Sequence, residues 1–139
     1  AESCTGGMIA SNIVNVPGAS EVFVEGFVTY TNKSKRKALD VSKNTLKKYG
    51  PVSEETAREM ALGGVFAADT DACVAVTGIA GPGGGTEEKP VGLVYISCCF
   101  KDDVTVEEYH FHGTRFEIRE QAAAAALDLL RREILKNYK

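Results

Sequence analysis

The 139-residue chain contains only two histidines and no Cys-x-x-Cys pair. Structural zinc sites need paired ligand spacings, so the sequence predicts no metal centre and no metal cofactor. No apolar run approaches the length of about 18 residues that a membrane span requires. The net charge of −3 gives no general attraction to nucleic acid or to an anionic membrane. These absences favour a globular protein that acts on something other than nucleic acid or membrane.

The four cysteines are scattered rather than paired in motifs. Cys4 and Cys73 stand alone, and Cys98 and Cys99 are adjacent. Successive residues of a strand point to opposite faces, so Cys98 and Cys99 cannot serve one site together. Buried reduced thiols are the ordinary use of such cysteines in a cytoplasmic protein. We therefore expect reduced thiols and a cytoplasmic location.

The length and the apolar content of 44% are those of one domain with its own hydrophobic core. Hydrophobic periodicity predicts helices over 5–16, 32–41, 42–50, 53–70 and 114–138, and strands over 25–32, 72–78, 91–100 and 104–112. The last two strands flank the short turn Lys-Asp-Asp and predict an antiparallel hairpin. Helices that alternate with strands predict the α/β class, as a three-layer α/β/α sandwich with a mixed sheet.

Capping residues mark the starts of three helices. Ser53 precedes the acidic first turn of the 53–70 helix, and Asn32 is the expected cap of the 32–41 helix. Thr114 and Glu117 have the spacing of a capping box at the start of the last helix.

The stretch TGIAGPGGGTEEKP, residues 77–90, is rich in glycine but fits neither common nucleotide fingerprint. It lacks the Gly-Lys-Ser/Thr end of a P-loop, and Thr86 stands where the dinucleotide pattern needs its third glycine. It also leads into a strand, so no helix start faces it. Two interpretations remain, a flexible connection or the wall of a ligand site after a core strand.

Two other places suit an anion. In the SCTGG stretch, Ser3 or Thr5 can cap a helix whose first turn contains Gly6 and Gly7, which leaves backbone N–H groups open to a phosphate. A simple N-cap explains the same residues. Arg115 stands at the first position of the last helix, where it can hold a phosphate or remain an exposed arginine.

A serine paired with a neutral lysine is the simplest hydrolytic machinery that the sequence offers. The ordinary lysine pKa of about 10.4 must fall to near 7.5, a change of about 4 kcal/mol, through burial or neighbouring positive charge. Lys35 lies in a basic cluster that supplies such charges, although the cluster also fits a solvated face. Ser20 follows Pro17-Gly18 in a turn that could expose its hydroxyl, but spacing alone does not bring it to Lys35.

Four stretches together resemble one family. AESCTGG, PGASEVFVEGFVTYTNKSK, GPVSEET and VTGIAGPGGGTEEKPVG are similar to the carboxy-terminal domain of the competence-damage-inducible protein CinA, which also occurs alone as a nicotinamide mononucleotide deamidase. The resemblance covers essentially the whole chain. It implies an oligomeric, metal-independent α/β/α amidohydrolase that converts nicotinamide mononucleotide to nicotinic acid mononucleotide and ammonia with a Ser/Lys dyad, as a step of pyridine nucleotide recycling.

The resemblance also implies roles for individual residues. Ser20 of PGAS becomes the nucleophile, with Ser3 as the alternative, Lys35 becomes the general base, and Tyr30 orients the pair or passes protons. The residues expected to line the nucleotide pocket are Ser3, Thr5, Gly6, Thr77, Gly78 and Arg115.

Departures from the family pattern leave alternatives open. The family has a helix and a first strand ahead of AESCTGG, so we expect residues 1–139 to be a single domain without them. It often has an acidic residue at the position of Lys33, and some members lack deamidase activity. The alternatives are a non-catalytic domain that binds a nucleotide or a protein partner, and an amidase for a different carboxamide.

Overall fold

The computed structural model describes residues 1–138, and the helices and strands of this part follow one another in the predicted order. The helices are α1 (Met8–Val14), α2 (Asn32–Leu39), α3 (Lys43–Tyr49), α4 (Glu54–Ala68) and α5 (Arg115–Asn137), and the strands are β1 (Ala72–Gly78), β2 (Leu93–Phe100) and β3 (Asp103–His110). A short 3₁₀ turn covers Ala19–Glu21. No helix within residues 1–138 has the length and apolar character needed to cross a membrane.

The three named strands form an antiparallel sheet, and within the described chain its parallel pairing is limited to isolated bridges beside β1. The strands β1, β2 and β3 form an antiparallel meander, and β2 and β3 make the expected hairpin. On the other side of β1, the first residues of the chain run parallel to it, and Glu2 bridges both Val76 and Val28. The predicted strand over residues 25–32 is therefore reduced to a bridge at Val28, because Glu2 is its sole bridging partner in the described chain.

Helices cover both faces of the sheet. On one face, α5 packs on β1 and β2 and α1 packs against α5, through a core that includes Ile9, Val76 and Leu129. On the opposite face, α4 lies on the sheet and supports α2 and α3 through a second core that includes Met60 and Leu39. The α/β/α sandwich predicted from the sequence is confirmed.

The predicted caps of two helices are confirmed. The Ser53 hydroxyl accepts a hydrogen bond from the Thr56 amide, and Thr114 forms the capping box of α5. The cap expected at Asn32 is wrong: Thr31 takes this role, because its extended backbone lets its hydroxyl accept from the Ser34 amide.

Candidate functional site

A cavity of about 340 Å³ opens where the start of the chain, the loop after α3, the glycine-rich loop and the start of α5 meet. Ser3 and Lys35 line it, together with Tyr30, Thr77 and Arg115. The structure therefore gathers most of the site residues expected from the sequence in one place.

Lys35 and Ser3 form a hydrogen-bonded pair in this cavity. The Lys35 Nζ lies 2.9 Å from the Ser3 Oγ, 2.8 Å from the Thr29 carbonyl oxygen and 3.3 Å from the Tyr30 carbonyl oxygen. The Lys35 side chain is 1% exposed. The lysine is thus held by two backbone acceptors on one side and directed at one serine hydroxyl on the other.

Burial sets the charge state of this lysine. Desolvation lowers the pKa of Lys35 from its ordinary 10.5 to about 8, against a small opposing effect of Cys4. The like charges of the basic cluster, expected from the sequence to act on Lys35, are not among the causes. Burial also raises the pKa of the Cys4 thiol to about 11, so this neighbour of Ser3 stays protonated near neutral pH.

Glu2 fixes the backbone around Ser3. Its amide donates to the Phe27 carbonyl and its carbonyl accepts from the Thr29 amide, while the Ser3 amide donates to Val76. The Glu2 side chain turns the other way and accepts from three amides at the start of α1. Ser3 is therefore anchored to the sheet and to α1 at once.

The sequence predicted an anion site at SCTGG, but the Glu2 carboxylate of the chain itself occupies these amides. Gly6 and Gly7 have positive φ angles, so α1 begins only at Met8, and Glu2 occupies the amides that a phosphate would need. Thr5 is fully buried and, like Gly6, lies outside the cavity lining. The Arg119 guanidinium lies beside both residues and donates to the Thr5 carbonyl. The structure therefore does not bring Thr5 and Gly6 together with Ser3 and Lys35 in the cavity lining.

The glycine-rich loop forms one wall of the cavity. Thr77 precedes the last residue of β1 and lines the cavity. It donates a hydrogen bond of 2.7 Å to the Pro51 carbonyl, so it ties this wall to the opposite one. Gly78, Gly81 and neighbouring loop residues also line the cavity. Between the two interpretations left open by the sequence, the position of the loop favours a wall over a free connection.

Arg115 closes the remaining side. Its guanidinium donates to the Gly81 carbonyl at 2.8 Å and to the Tyr30 hydroxyl at 2.9 Å. The Tyr30 hydroxyl therefore faces Arg115, while the Tyr30 backbone carbonyl is the group that contacts Lys35. Tyr30 orients the lysine through its main chain rather than through its ring.

The expected pairing of Ser20 with Lys35 is not formed. Ser20 lies in the exposed 3₁₀ turn and does not line the cavity. In the described chain no hydrogen bond joins it to Lys35, whose serine partner is Ser3. The extended segment between the turn and α2 separates the two residues.

Sequence reasoning missed Glu2 and Arg119, both of which support the Ser3 segment. The sequence gives little indication of either role. Only the structure shows that Glu2 is buried and that Arg119 donates to backbone carbonyls. Within residues 1–138 there is no cluster of three or more His, Cys, Asp or Glu side chains suited to a metal ion.

The chain is similar to several curated proteins. It matches the family model of the CinA C-terminal domain over residues 1–134. A competence-damage inducible protein of Clostridium beijerinckii is 56% identical to it over 98% of this chain and 33% of its own length. One of Clostridium perfringens is 54% identical with the same coverage, so the chain spans about a third of these relatives.

Solved structures share the fold over most of the chain. The competence/damage inducible protein CihA from Agrobacterium tumefaciens has a TM-score of 0.91 at 46% identity, over 93% of this chain and 79% of that one. A CinA superfamily protein from Escherichia coli has a TM-score of 0.90 at 38% identity, over 93% of this chain and 75% of that one. With the family match along nearly its whole length, the chain belongs to the CinA C-terminal domain family.

Proposed function

We propose that this domain hydrolyses the carboxamide of nicotinamide mononucleotide, giving nicotinic acid mononucleotide and ammonia. The observation that carries the proposal is the contact of 2.9 Å between the Lys35 Nζ and the Ser3 Oγ inside a cavity. A buried amine whose pKa falls to about 8 is a usable general base near neutral pH. The cavity volume of about 340 Å³ lies within the range of small-molecule sites.

The hydrogen bonds of Lys35 favour its action as a base toward Ser3. A neutral amine keeps two N–H groups and one lone pair. The carbonyls of Thr29 and Tyr30 can each accept one N–H, which leaves the lone pair directed at the Ser3 hydroxyl. The same carbonyls orient the amine before substrate binds.

The reaction then follows the scheme of a Ser/Lys amidohydrolase. The Ser3 Oγ attacks the amide carbon while Lys35 takes its proton, and Lys35 returns this proton to the departing nitrogen, which leaves as ammonia. Water attacks the resulting Ser3 ester with Lys35 again as base, and the carboxylate product is released. Backbone amides of the glycine-rich wall are our candidates for stabilising the oxyanion.

Arg115 is the proposed anchor for the 5′-phosphate. A guanidinium has five N–H donors, and the bonds to Gly81 and Tyr30 each use one nitrogen. The donors that remain can hold an anion at the cavity rim. Glu2 occupies the Ser3–Gly7 turn, and among residues 1–138 Lys35 and Arg115 are the cations that line this cavity.

We also propose a cytoplasmic homo-oligomer. The segment before α2 carries Val22, Val24 and Val28, each more than half exposed. Light scattering coupled to gel filtration measures the assembly, and a monomeric mass at micromolar concentration contradicts it.

Ammonia release from nicotinamide mononucleotide tests the deamidase. We expect Ser3→Ala and Lys35→Met to lose activity by at least about a thousandfold, since removal of a nucleophile or its base costs up to about a millionfold in kcat in a serine protease. Ser20→Ala is the matched control and should retain wild-type activity, because Ser20 lies outside the cavity. Full activity in Ser3→Ala, or loss in Ser20→Ala, overturns the assignment.

Binding without turnover is the second candidate function. It needs only the donors that Arg115 keeps beyond its bonds to Gly81 and Tyr30, which can hold a phosphate whether or not Ser3 reacts. Calorimetry with the mononucleotide and with free nicotinamide distinguishes the cases. Selectivity for the phosphorylated form supports Arg115 as an anchor, and binding with no ammonia release supports the non-catalytic domain.

A further inference from the structure

We propose that Lys89 is a positioning residue that holds the glycine-rich loop against the opposite cavity wall. This inference rests on the proposed function of the cavity. The Lys89 Nζ donates to the carbonyl oxygen of Tyr49, the last residue of α3, at 2.5 Å. The two residues are 40 positions apart, so this bond joins separate parts of the chain.

The end of α3 is a favourable place for a cation. Carbonyl groups at a helix C-terminus carry partial negative charge and lack partners within the helix. Gly50 follows with a φ of 81°, and a Cβ at Gly50 would lie 3.3 Å from the Lys89 Nζ. The absence of a side chain at Gly50 therefore gives the ammonium room to reach this end.

The backbone of Lys89 is also held in place by hydrogen bonds to Thr86. Its amide donates to the Thr86 hydroxyl at 3.0 Å, and its carbonyl accepts from the Thr86 amide at 2.8 Å. Residues 86–89 thus form a closed turn at the far end of the glycine-rich loop. The Lys89 side chain extends from this turn to α3 and therefore holds the loop backbone at a fixed distance from that helix.

The wall that Lys89 reaches is rigidly held. The Gly50 carbonyl accepts from the hydroxyls of Ser53 and Thr56, and the Pro51 carbonyl accepts from Thr77. Pro51 lines the cavity directly. Lys89 therefore attaches the loop to a fixed edge of the site rather than to a mobile surface.

Two cations hold the loop from opposite ends. Arg115 binds the Gly81 carbonyl near its start, and Lys89 binds Tyr49 from its other end. Between them the exposed stretch contains Gly83, Gly84 and Gly85, whose freedom makes an open loop entropically favourable. Removing one attachment releases that freedom and widens the mouth of the cavity.

Lys89→Met keeps the length of the side chain and removes the charge and the donors. We expect KM for nicotinamide mononucleotide to rise about fivefold, with kcat changed by less than about twofold, since Ser3 and Lys35 stay in place. Hydrogen exchange of the amides between Gly83 and Lys89 should become faster. Lys89→Arg should recover most of the KM, and Lys47→Met, an exposed lysine on α3, is the matched control.

Unchanged KM together with unchanged exchange in Lys89→Met overturns the proposal. A roughly fivefold fall of kcat with unchanged KM also contradicts it, because that result indicates that Lys89 takes part in the catalytic step. If the wild-type protein releases no ammonia, the exchange measurement still decides the role of Lys89, so failure of the deamidase and failure of the attachment are separable.

Discussion

Gly63 of α4 lies directly against the carbonyl group of Leu39, the last residue of α2. A Cβ at Gly63 would stand 1.8 Å from the Leu39 oxygen and 2.7 Å from its carbonyl carbon. The backbones of the two helices are therefore in contact. Because α2 carries Lys35, this contact sets how deeply the lysine is placed in the core.

Gly63→Ala should destabilise the protein. Helix propensity alone would favour alanine by about 1 kcal/mol, but the clash with backbone forces α2 and α4 apart. We expect a net loss of about 1–3 kcal/mol, measured by urea denaturation. Gly83→Ala is the control, since within residues 1–138 no atom beyond its chain neighbours lies within 4 Å of its Cβ position. It should change stability by less than about 0.5 kcal/mol. Equal stability of Gly63→Ala and wild type contradicts this view of the contact.

Removing the Glu2 carboxylate should loosen α1. Glu2→Ala leaves three amides at the helix start without their acceptor, and we expect a loss of about 2–4 kcal/mol. Glu2→Gln keeps one acceptor oxygen and should lose less. Thermal unfolding gives the stabilities, and faster exchange of the Ile9 and Ala10 amides locates the effect. If both variants are as stable as the wild type, these hydrogen bonds contribute little to stability.

The rate of ammonia release should follow the protonation of Lys35. Below pH 8 the amine is charged and cannot accept the Ser3 proton, so kcat/KM should rise about tenfold per pH unit. Above about pH 8 it should level off, because burial lowers the pKa of Lys35 to about 8. A profile from pH 6 to 9 measures this, and a flat profile contradicts Lys35 as the base.

The free energy of unfolding should also depend on pH, because folding lowers the pKa of Lys35. The unfolded chain holds the lysine proton up to its ordinary pKa of 10.5, whereas the folded protein releases it near 8. The unfolded state thus binds more protons between these values, so stability rises with pH in this window. Relative to Lys35→Met, the wild type should gain about 3 kcal/mol between pH 8 and 10.5. The Cys4 thiol acts in the opposite direction at high pH but is present in both proteins. A pH-independent difference between them shows that Lys35 has an ordinary pKa.

Local sequence signals were sufficient for most of the fold. The hairpin of β2 and β3, the Ser53 cap and the Thr114 capping box depend on residues close in sequence, and all three are present. The α1 start was misplaced because two glycines with positive φ delay it. The strand over 25–32 is short because its partner is a single residue far away in the chain, Glu2.

The choice of serine could not be made locally. The parallel bridge between Glu2 and Val28 places Ser3 beside the carbonyls of Thr29 and Tyr30, where the Lys35 amine lies. No spacing pattern encodes a bridge between residues 2 and 28. Likewise, the sequence did not predict that the Glu2 carboxylate, rather than a ligand, would accept the hydrogen bonds of the amides at the start of α1.

The contact of Arg119 with the start of the chain bears on when activity first arises. Its guanidinium binds the carbonyls of Cys4 and Thr5 across 115 and 114 positions. Contacts between such distant residues require a long loop to close, and they cannot form before both residues have been synthesised. During synthesis, the Ser3 turn emerges from the ribosome long before its support on α5. The proposed activity should therefore appear only after Arg119 has been synthesised, and a chain stalled before Arg119 should be inert.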